Sequence, residues 1–366
     1  MKKKYHLGII VSRIDFGAAE LLEMNLAIEL SKLGHNVVLM PQHSKDKFDD
    51  GAIEQKIVEY DLKLQRLFFD KPFKCFREIL KIRKLNLDFV ISHNRGGDLL
   101  GSAICLFTKT KDIKAMHEYY FKSNINSVMN YLWKLSFKNA NYTYHISTNV
   151  LNINRKTFNL SSSKSKVVYN AIHFLDNVEE FKLKEIGVPI NKKIVLTVAR
   201  VVENKGHHNN LDIVIPLLQK RDDFIYLIAG ENISNPNLYA ELLERVKKEN
   251  LSEKVFYLGQ ISNTIGLMKK SSCLLHFAKH EGFGLVLLEA MNENLPIIAS
   301  DVGGISEVLQ DTKFKPLSLS QKDTARALLN EYLSNNEKIE NDIETLKEKF
   351  SHENRAKSIV TIFEQI

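Results

Sequence analysis

The chain has few cysteines, no long apolar run, and none of the short motifs that would assign a redox or metal-dependent chemistry at sight. Cys75, Cys105 and Cys273 are scattered along 366 residues with no Cys-x-x-Cys spacing. That pattern suits neither a disulfide framework nor a zinc centre, and it fits a reducing compartment. No stretch reaches the ~20 consecutive apolar residues of a membrane span. The basic start, Met1-Lys2-Lys3-Lys4, looks like the head of a signal peptide. The apolar run behind it is short and is interrupted by Arg13 and Asp15, so it reads as a first strand. Gly-x-Gly-x-x-Gly is missing from the first strand–helix turn, which argues against a nicotinamide dehydrogenase. The single Gly17 would still let the backbone approach a diphosphate. Asp-x-Asp occurs nowhere, which removes the usual carboxylate pair for holding a divalent ion on a nucleotide phosphate. His207-His208 lacks the carboxylate or third imidazole of a zinc site, and both read as surface.

The length is enough for two domains. Charge divides unevenly between the halves. Residues 1–170 hold 27 Lys and Arg against 16 Asp and Glu, whereas 171–366 hold 24 against 28. A basic half joined to a mildly acidic one suggests that the first meets an anionic surface or ligand; surface solubility alone is the plainer reading.

Strand and helix patterns alternate throughout. In the first half, strands are expected at 7–11, 36–40, 88–92, a segment ending at 116, and 142–146. Helices fall at 19–33, 73–85, 99–107 and around Tyr131–Lys138, with 93–97 as a loop. Ser161–Lys166 reads as a polar break followed by 167–172, the domain boundary lies near 172, and 174–189 is the linker. The second half repeats the pattern: strands at 194–198, 224–229, 255–258, 273–277 and 297–300, with helices at 211–220, 238–249, 263–270 and 285–291. Such alternation implies two doubly wound α/β domains, in which ligands gather at the carboxyl ends of the strands. Arg200, Gly230, Gly259 and Glu281 all fall just past such ends, so they should line one side of one cleft, as should Ile261 beyond the Gly259 turn.

The stretch from His276 to Leu309 carries the densest signal. Glu281-Gly282-Phe283-Gly284 breaks an apolar strand just before a helix opening at Leu285, where unpaired amides suit an anionic or hydroxyl-rich ligand. Glu289 follows one turn into that helix, and Asp301-Val302-Gly303-Gly304 ends the next strand. Arg200 and Lys205, five residues apart beside Gly206, could clamp a diphosphate, the first as a fork and the second as a point charge; an Arg–Lys pair in a loop is more often merely solvated. His117 ends a first-half strand beside Glu118 and reads either as structural or as a substrate contact, with His93 the weaker candidate. Glu281 and Glu289 share one segment and do not flank a bond from opposite sides, which argues against a hydrolytic carboxylate pair.

These residues together resemble the retaining glycosyltransferases of family 4, which have the GT-B fold. The resemblance rests on Glu281-Gly-Phe-Gly with Glu289, Ala199-Arg200 with Lys205-Gly206, Tyr169-Asn170-Ala171-Ile172, and Asp301-Val-Gly-Gly with Glu307. It extends loosely to Gly17-Ala18-Ala19-Glu20 and Leu33-Gly34-His35, and to Phe350-Ser351-His352-Glu353 at the start of a last helix. It implies two Rossmann-like domains facing across a cleft: 1–172 for the acceptor, 173–349 for a nucleotide-diphosphate sugar, a UDP-sugar first among them, and 350–366 crossing back onto the first. It also implies that Arg200 and Lys205 bind the diphosphate and compensate charge on the departing phosphate. Glu289 would hold the ribose, Glu281 with the backbone of Phe283, Gly284 and Leu285 the transferred sugar, His117 the sugar hydroxyls, and Gly17 and Gly230 the donor loops. No cofactor, metal or nucleic acid is implied. Ala18 stands where the family commonly has a second Gly, and Ala171 and His173 replace the usual Gly and Asp at the crossover. A sugar-nucleotide epimerase of the same fold, or a non-catalytic sugar-nucleotide-binding relative, would share much of this pattern; a binder should have lost Arg200, Lys205 or Glu281. The basic-aromatic segments 71–84 and 119–138 suggest an anionic membrane surface and a lipid-linked acceptor; the plainer reading puts Phe76, Trp133 and their neighbours in the core, with the lysines merely solvated. The membrane reading places the protein in the cytoplasm, peripheral to the inner face of the membrane, in lipopolysaccharide or surface polysaccharide biosynthesis.

Overall fold

The computed structural model describes residues 3–11, 18–41, 59–60, 62–65, 72–119, 127–174, 178–189, 191–232, 234–335 and 339–366. It divides into two compact units, 1–171 with 349–366, and 172–348.

In the first unit, β1 (His6–Val11), α1 (Ala18–Lys32), β2 (Asn36–Pro41), β3 (Lys63–Leu64), α2 (Pro72–Lys84), β4 (Phe89–His93), α3 (Asn94–Phe107), β5 (Lys111–Met116), α4 (Ser127–Asn139), β6 (Tyr142–His145), α5 (Thr148–Phe158) and β7 (Ser165–Val167) follow in order. The strands form one parallel sheet, β3-β2-β1-β4-β5-β6-β7. Because β1 is central, both of its faces are covered, and from Leu7 to Val11 it is buried throughout. Leu7, Ile9 and Val11 pack with α1, while Ile10 packs with Ile82 of α2 and with Leu100 and Ile104 of α3.

The second unit holds β8 (Lys193–Val198), α6 (His207–Leu218), β9 (Phe224–Ala229), α7 (Pro236–Lys248), β10 (Val255–Gly259), α8 (Thr264–Lys269), β11 (Cys273–His276), α9 (Leu285–Asn292), β12 (Ile297–Ala299), α10 (Ile305–Leu309), α11 (Lys322–Asn335) and α12 (Ile343–Phe350). Its parallel sheet runs β10-β9-β8-β11-β12. The last helix, α13 (His352–Gln365), opens on a Ser351 cap. It buries Ala356, Ile359, Ile362 and Phe363 in the core of the first unit, beside α1.

Three local expectations are corrected. The stretch 93–97 is not a loop: α3 begins at Asn94, whose side chain accepts the Gly97 amide at 2.9 Å and closes the first turn. The polar stretch Ser161–Lys166 is not irregular throughout. Ser165 starts β7, and the guanidinium of Arg155 satisfies it by donating to both its hydroxyl and its carbonyl at 2.9 Å. Finally, α6 starts four residues earlier than its apolar pattern indicates. His207 is consequently buried rather than on the surface, at 1% exposure, and its Nε2 lies 2.9 Å from the Arg200 carbonyl.

Candidate functional site

The site of the second unit is assembled along the carboxyl edge of its sheet. Arg200 follows β8, Gly230 follows β9, Gly259 ends β10 with half-buried Ile261 behind it, and Glu281 follows β11. Backbone hydrogen bonds carry the edge from strand to strand: the Ala199 amide donates to Ala229 at 2.9 Å, Gly230 to Gly259 at 2.7 Å, and Val201 to Glu231 at 2.8 Å.

Two loops are strapped together on that edge. The amides of Lys279 and His280 donate to the Asn204 carbonyl at 2.9 and 3.1 Å, tying 200–206 to 277–281. Gly206 is required between them. Its φ is +67°, and a Cβ there would stand 2.1 Å from the Phe277 carbonyl oxygen. Behind the strap, the Asn210 side chain accepts the Phe277 amide at 3.0 Å and donates to Thr197, while Ser300 donates to the Ala278 carbonyl at 2.7 Å. Buried polar groups satisfied in this way hold both loops in one arrangement.

Lys205 and Glu281 meet at the mouth. The ammonium donates to Oε2 of Glu281 at 2.7 Å, and His276 Nε2 lies 3.0 Å from the same oxygen. Burial opposes ionisation of Glu281, but the His276 hydrogen bond and the Lys205 charge outweigh it and hold the carboxyl well below the usual range. Arg200 is exposed, with no side-chain partner among the described residues. Phe283 is buried. Gly284 caps α9 in the left-handed region at φ +99° and supplies no side-chain cap, so the helix opens at Leu285 with its first turn uncapped.

Glu289 lies one turn inside α9 with no hydrogen-bond partner among the described residues, and burial pushes its carboxyl up to about 7. A ligand hydroxyl donating to it would favour the ionised form, so binding must release a proton below that pH. The affinity for a hydroxyl-bearing donor should therefore be flat above pH ~7 and weaken by up to about tenfold per pH unit below it. Titrating a nucleotide-diphosphate sugar, which has no ionisation of its own near neutrality, across about pH 5.5 to 8.5 checks this. Glu289→Gln should flatten the profile.

In the first unit His117 stands just past β5, its Nε2 3.0 Å from Oε1 of Glu23 and its ring 5.5 Å from that of His93. His93 is buried at the end of β4. Burial, and then the charge on His117, push it down to about 4, which keeps it neutral. Gly17 lies outside the described residues. Trp133 of segment 119–138 is core, the plainer of its two readings: its indole N–H donates to buried Asp98 at 3.3 Å, and it packs edge-on against Phe137 and Phe158. Two participants were not foreseen. His276 was hidden in an apolar strand, where an isolated polar residue five positions before Glu281 was the available signal. Glu23 lay in a helix with no local mark at all.

Residues 178–349 match the family model of glycosyl transferases group 1. The chain is 27% identical over 319 residues to the N-acetylgalactosamine-N,N'-diacetylbacillosaminyl-diphospho-undecaprenol 4-alpha-N-acetylgalactosaminyltransferase of Campylobacter jejuni, covering 84% of each chain. Among solved structures, HepE of Anabaena in complex with UDP and glucose superposes with a TM-score of 0.79 at 15% identity, over 99% of this chain and 100% of that one. The lipopolysaccharide outer core galactosyltransferase WaaB superposes with a TM-score of 0.72 at 17% identity, over 99% and 100%. Two parallel α/β sheets, a carboxyl-edge site carried by residues 200–206 and 281–289, and this match make residues 178–349 a glycosyl transferases group 1 domain, in a chain with the GT-B fold.

Proposed function

We propose that the protein transfers a sugar, with retention, from a nucleotide-diphosphate donor, a UDP-sugar before others, to a lipid-linked glycan of the bacterial surface. The observation that carries this is the strapped pair of loops, which brings Lys205 onto Glu281, with Arg200 at the start of the same loop and Glu289 one turn into the helix that follows. Two cations would take the diphosphate and stabilise charge as it develops on the leaving phosphate. Glu289 would take the ribose hydroxyls, and Glu281 with the Phe283–Leu285 backbone the transferred sugar. Support for the donor comes from HepE, solved with UDP, and for the acceptor from the Campylobacter enzyme, whose name specifies a diphospho-undecaprenol glycan.

Among the described residues no group of three His, Cys, Asp or Glu is arranged to hold a metal ion, and the chemistry assigned to Arg200 and Lys205 needs none. Turnover should accordingly persist in excess EDTA. A complete loss that Mg²⁺ or Mn²⁺ restores would contradict this assignment of the phosphate site.

The acceptor side reads as a membrane-facing layer. No described helix is long and apolar enough to cross a membrane. Instead, α3 packs between α2 and α4, and α4 exposes Val128, Tyr131, Leu132 and Leu135 at helical spacing, from 38 to 66%. Lys134 and Lys138 flank that stripe, and Arg83 and Lys84 are exposed on α2. Apolar residues edged with cations suit an anionic leaflet.

The transferase reading is tested by incubating a UDP-sugar with lipid-linked acceptor. A lengthened glycan whose new bond keeps the donor's anomeric configuration is expected. An altered free sugar nucleotide with no lengthened product would identify an epimerase instead.

A further inference from the structure

His276 closes β11 between Leu274-Leu275 and Phe277, all fully buried, and is itself 1% exposed. An imidazole so placed needs a polar partner. Among the described residues it has one, Glu281: Nε2 lies 3.0 Å from Oε2, while Nδ1 is buried without a hydrogen bond. Because Glu281 is held ionised, it can only accept, so the nitrogen facing it carries a proton whichever charge the ring has. The Lys205 ammonium donates to the same oxygen at 2.7 Å. Two donors therefore converge on Oε2, and they differ in freedom. Lys205 sits on a flexible four-carbon stem at the mouth, with its side chain 19% exposed, whereas the His276 ring is packed inside a strand.

That difference matters when a diphosphate arrives. The phosphates bring negative charge beside Glu281 and compete for its ammonium. Both effects favour protonation of a carboxyl whose ionised form burial already opposes. Protonated, Glu281 would present a donor where a sugar hydroxyl needs an acceptor. The titratable groups around the pair are engaged elsewhere or lie at the surface. His207 of α6 is held by the Arg200 carbonyl and pushed down by burial. Lys279 pairs with Glu203 at 3.3 Å, and Arg200 and His280 are exposed. A donor that does not follow the phosphate is what Glu281 requires, and the imidazole is one.

We propose that Lys205 is shared between Glu281 and the donor diphosphate, and that His276 is the positioning residue that keeps the Glu281 carboxylate in place when the diphosphate draws Lys205 away. The empty site holds Oε2 by both donors, and the loaded site holds it by the ring. This rests on the reading of Lys205 as a phosphate contact and Glu281 as a sugar contact.

Two measurements test it. The first is ¹³C NMR of protein labelled at the glutamate carboxyl carbons, titrated with acid alone and with UDP, a probe that brings the diphosphate without a sugar. The Glu281 signal is assigned by its loss in Glu281→Gln. In wild type it should titrate below the exposed glutamates in both states. In His276→Leu with UDP bound, its midpoint should rise by about one pH unit or more, and His276→Gln, whose amide can replace the Nε2–H, should bring it back. The second is turnover at saturating donor: His276→Leu should lose about tenfold or more in kcat, a loss that grows as the pH falls, and His276→Gln should recover most of it. A UDP-bound His276→Leu protein whose Glu281 titrates as in wild type overturns the proposal. Lys205→Ala decides the matter even if His276→Leu does not fold: its Glu281 should titrate above wild type yet still below the exposed glutamates, and a midpoint at or beyond theirs shows that the ring does not hold it. UDP affinity unchanged in Lys205→Ala sinks the phosphate contact instead, so the two failures are told apart.

Discussion

Arg200→Ala and Lys205→Ala should each cut turnover by roughly a hundredfold or more. Losing one preorganised cation from a developing phosphate charge costs about 3 kcal/mol of transition-state stabilisation. The two losses should differ in character. Arg200 has no side-chain partner among the described residues, so its removal leaves the empty site unchanged. Lys205 is paired with Glu281 at 2.7 Å, so its removal also strips a counter-charge from a largely buried carboxylate that His276 contacts as well. Glu281 should become easier to protonate in Lys205→Ala, and that variant should lose further activity as the pH falls. Both residues sit in a short turn outside the sheet, so thermal unfolding should move little. Wild-type rates from a well-folded double variant would put the diphosphate elsewhere.

Binding to anionic vesicles should respond as steeply to salt as turnover does to those substitutions. Arg83, Lys84, Lys134 and Lys138 are exposed on α2 and α4, the helices on either side of α3, and each cation engaged near an anionic leaflet contributes ~1 kcal/mol. Four together would raise the partition by about a thousandfold. Most of that gain should vanish between about 50 mM and about 500 mM salt as the screening length shrinks. Charge reversal at the four positions should abolish sedimentation with the vesicles. Tyr131→Ser with Leu135→Ser should weaken it at every salt concentration, because the apolar contribution is unscreened. Protein that stays in the supernatant at low salt would remove the membrane from the account and leave the sugar transfer untouched.

The second unit was the more legible of the two in sequence, for a physical reason. Its strands are short apolar runs with polar ends: Phe224–Ala229 is bounded by Asp222-Asp223 and Gly230, and the structure gives those bounds. Arg200, Gly230 and Glu281 could be set on one edge because a parallel sheet puts every loop that follows a strand on the same side. The start of α6 was not legible. Gly206-His207-His208-Asn209-Asn210 looks like a loop, and its first turn is anchored by contacts distant in sequence, His207 to the Arg200 carbonyl and Asn210 to the Phe277 amide. The His117 network was beyond reach for another reason. Its partners are 94 and 332 residues apart in pairs, Glu23 with His117 and Glu23 with Arg355, and each residue alone is an ordinary helix or strand-end residue. For Trp133 composition left both core and surface open, and the buried Asp98 holds the indole inside.

The account stands most directly on whether the second unit holds a nucleotide diphosphate through its own side chains. Calorimetric titration of UDP-, GDP- and ADP-sugars in EDTA-containing buffer measures this without an acceptor. Saturable one-to-one binding of a UDP-sugar is expected, weakened about tenfold or more by Arg200→Ala. No heat from any of the three nucleotides, or binding that appears only with added Mg²⁺ and ignores Arg200, would contradict it.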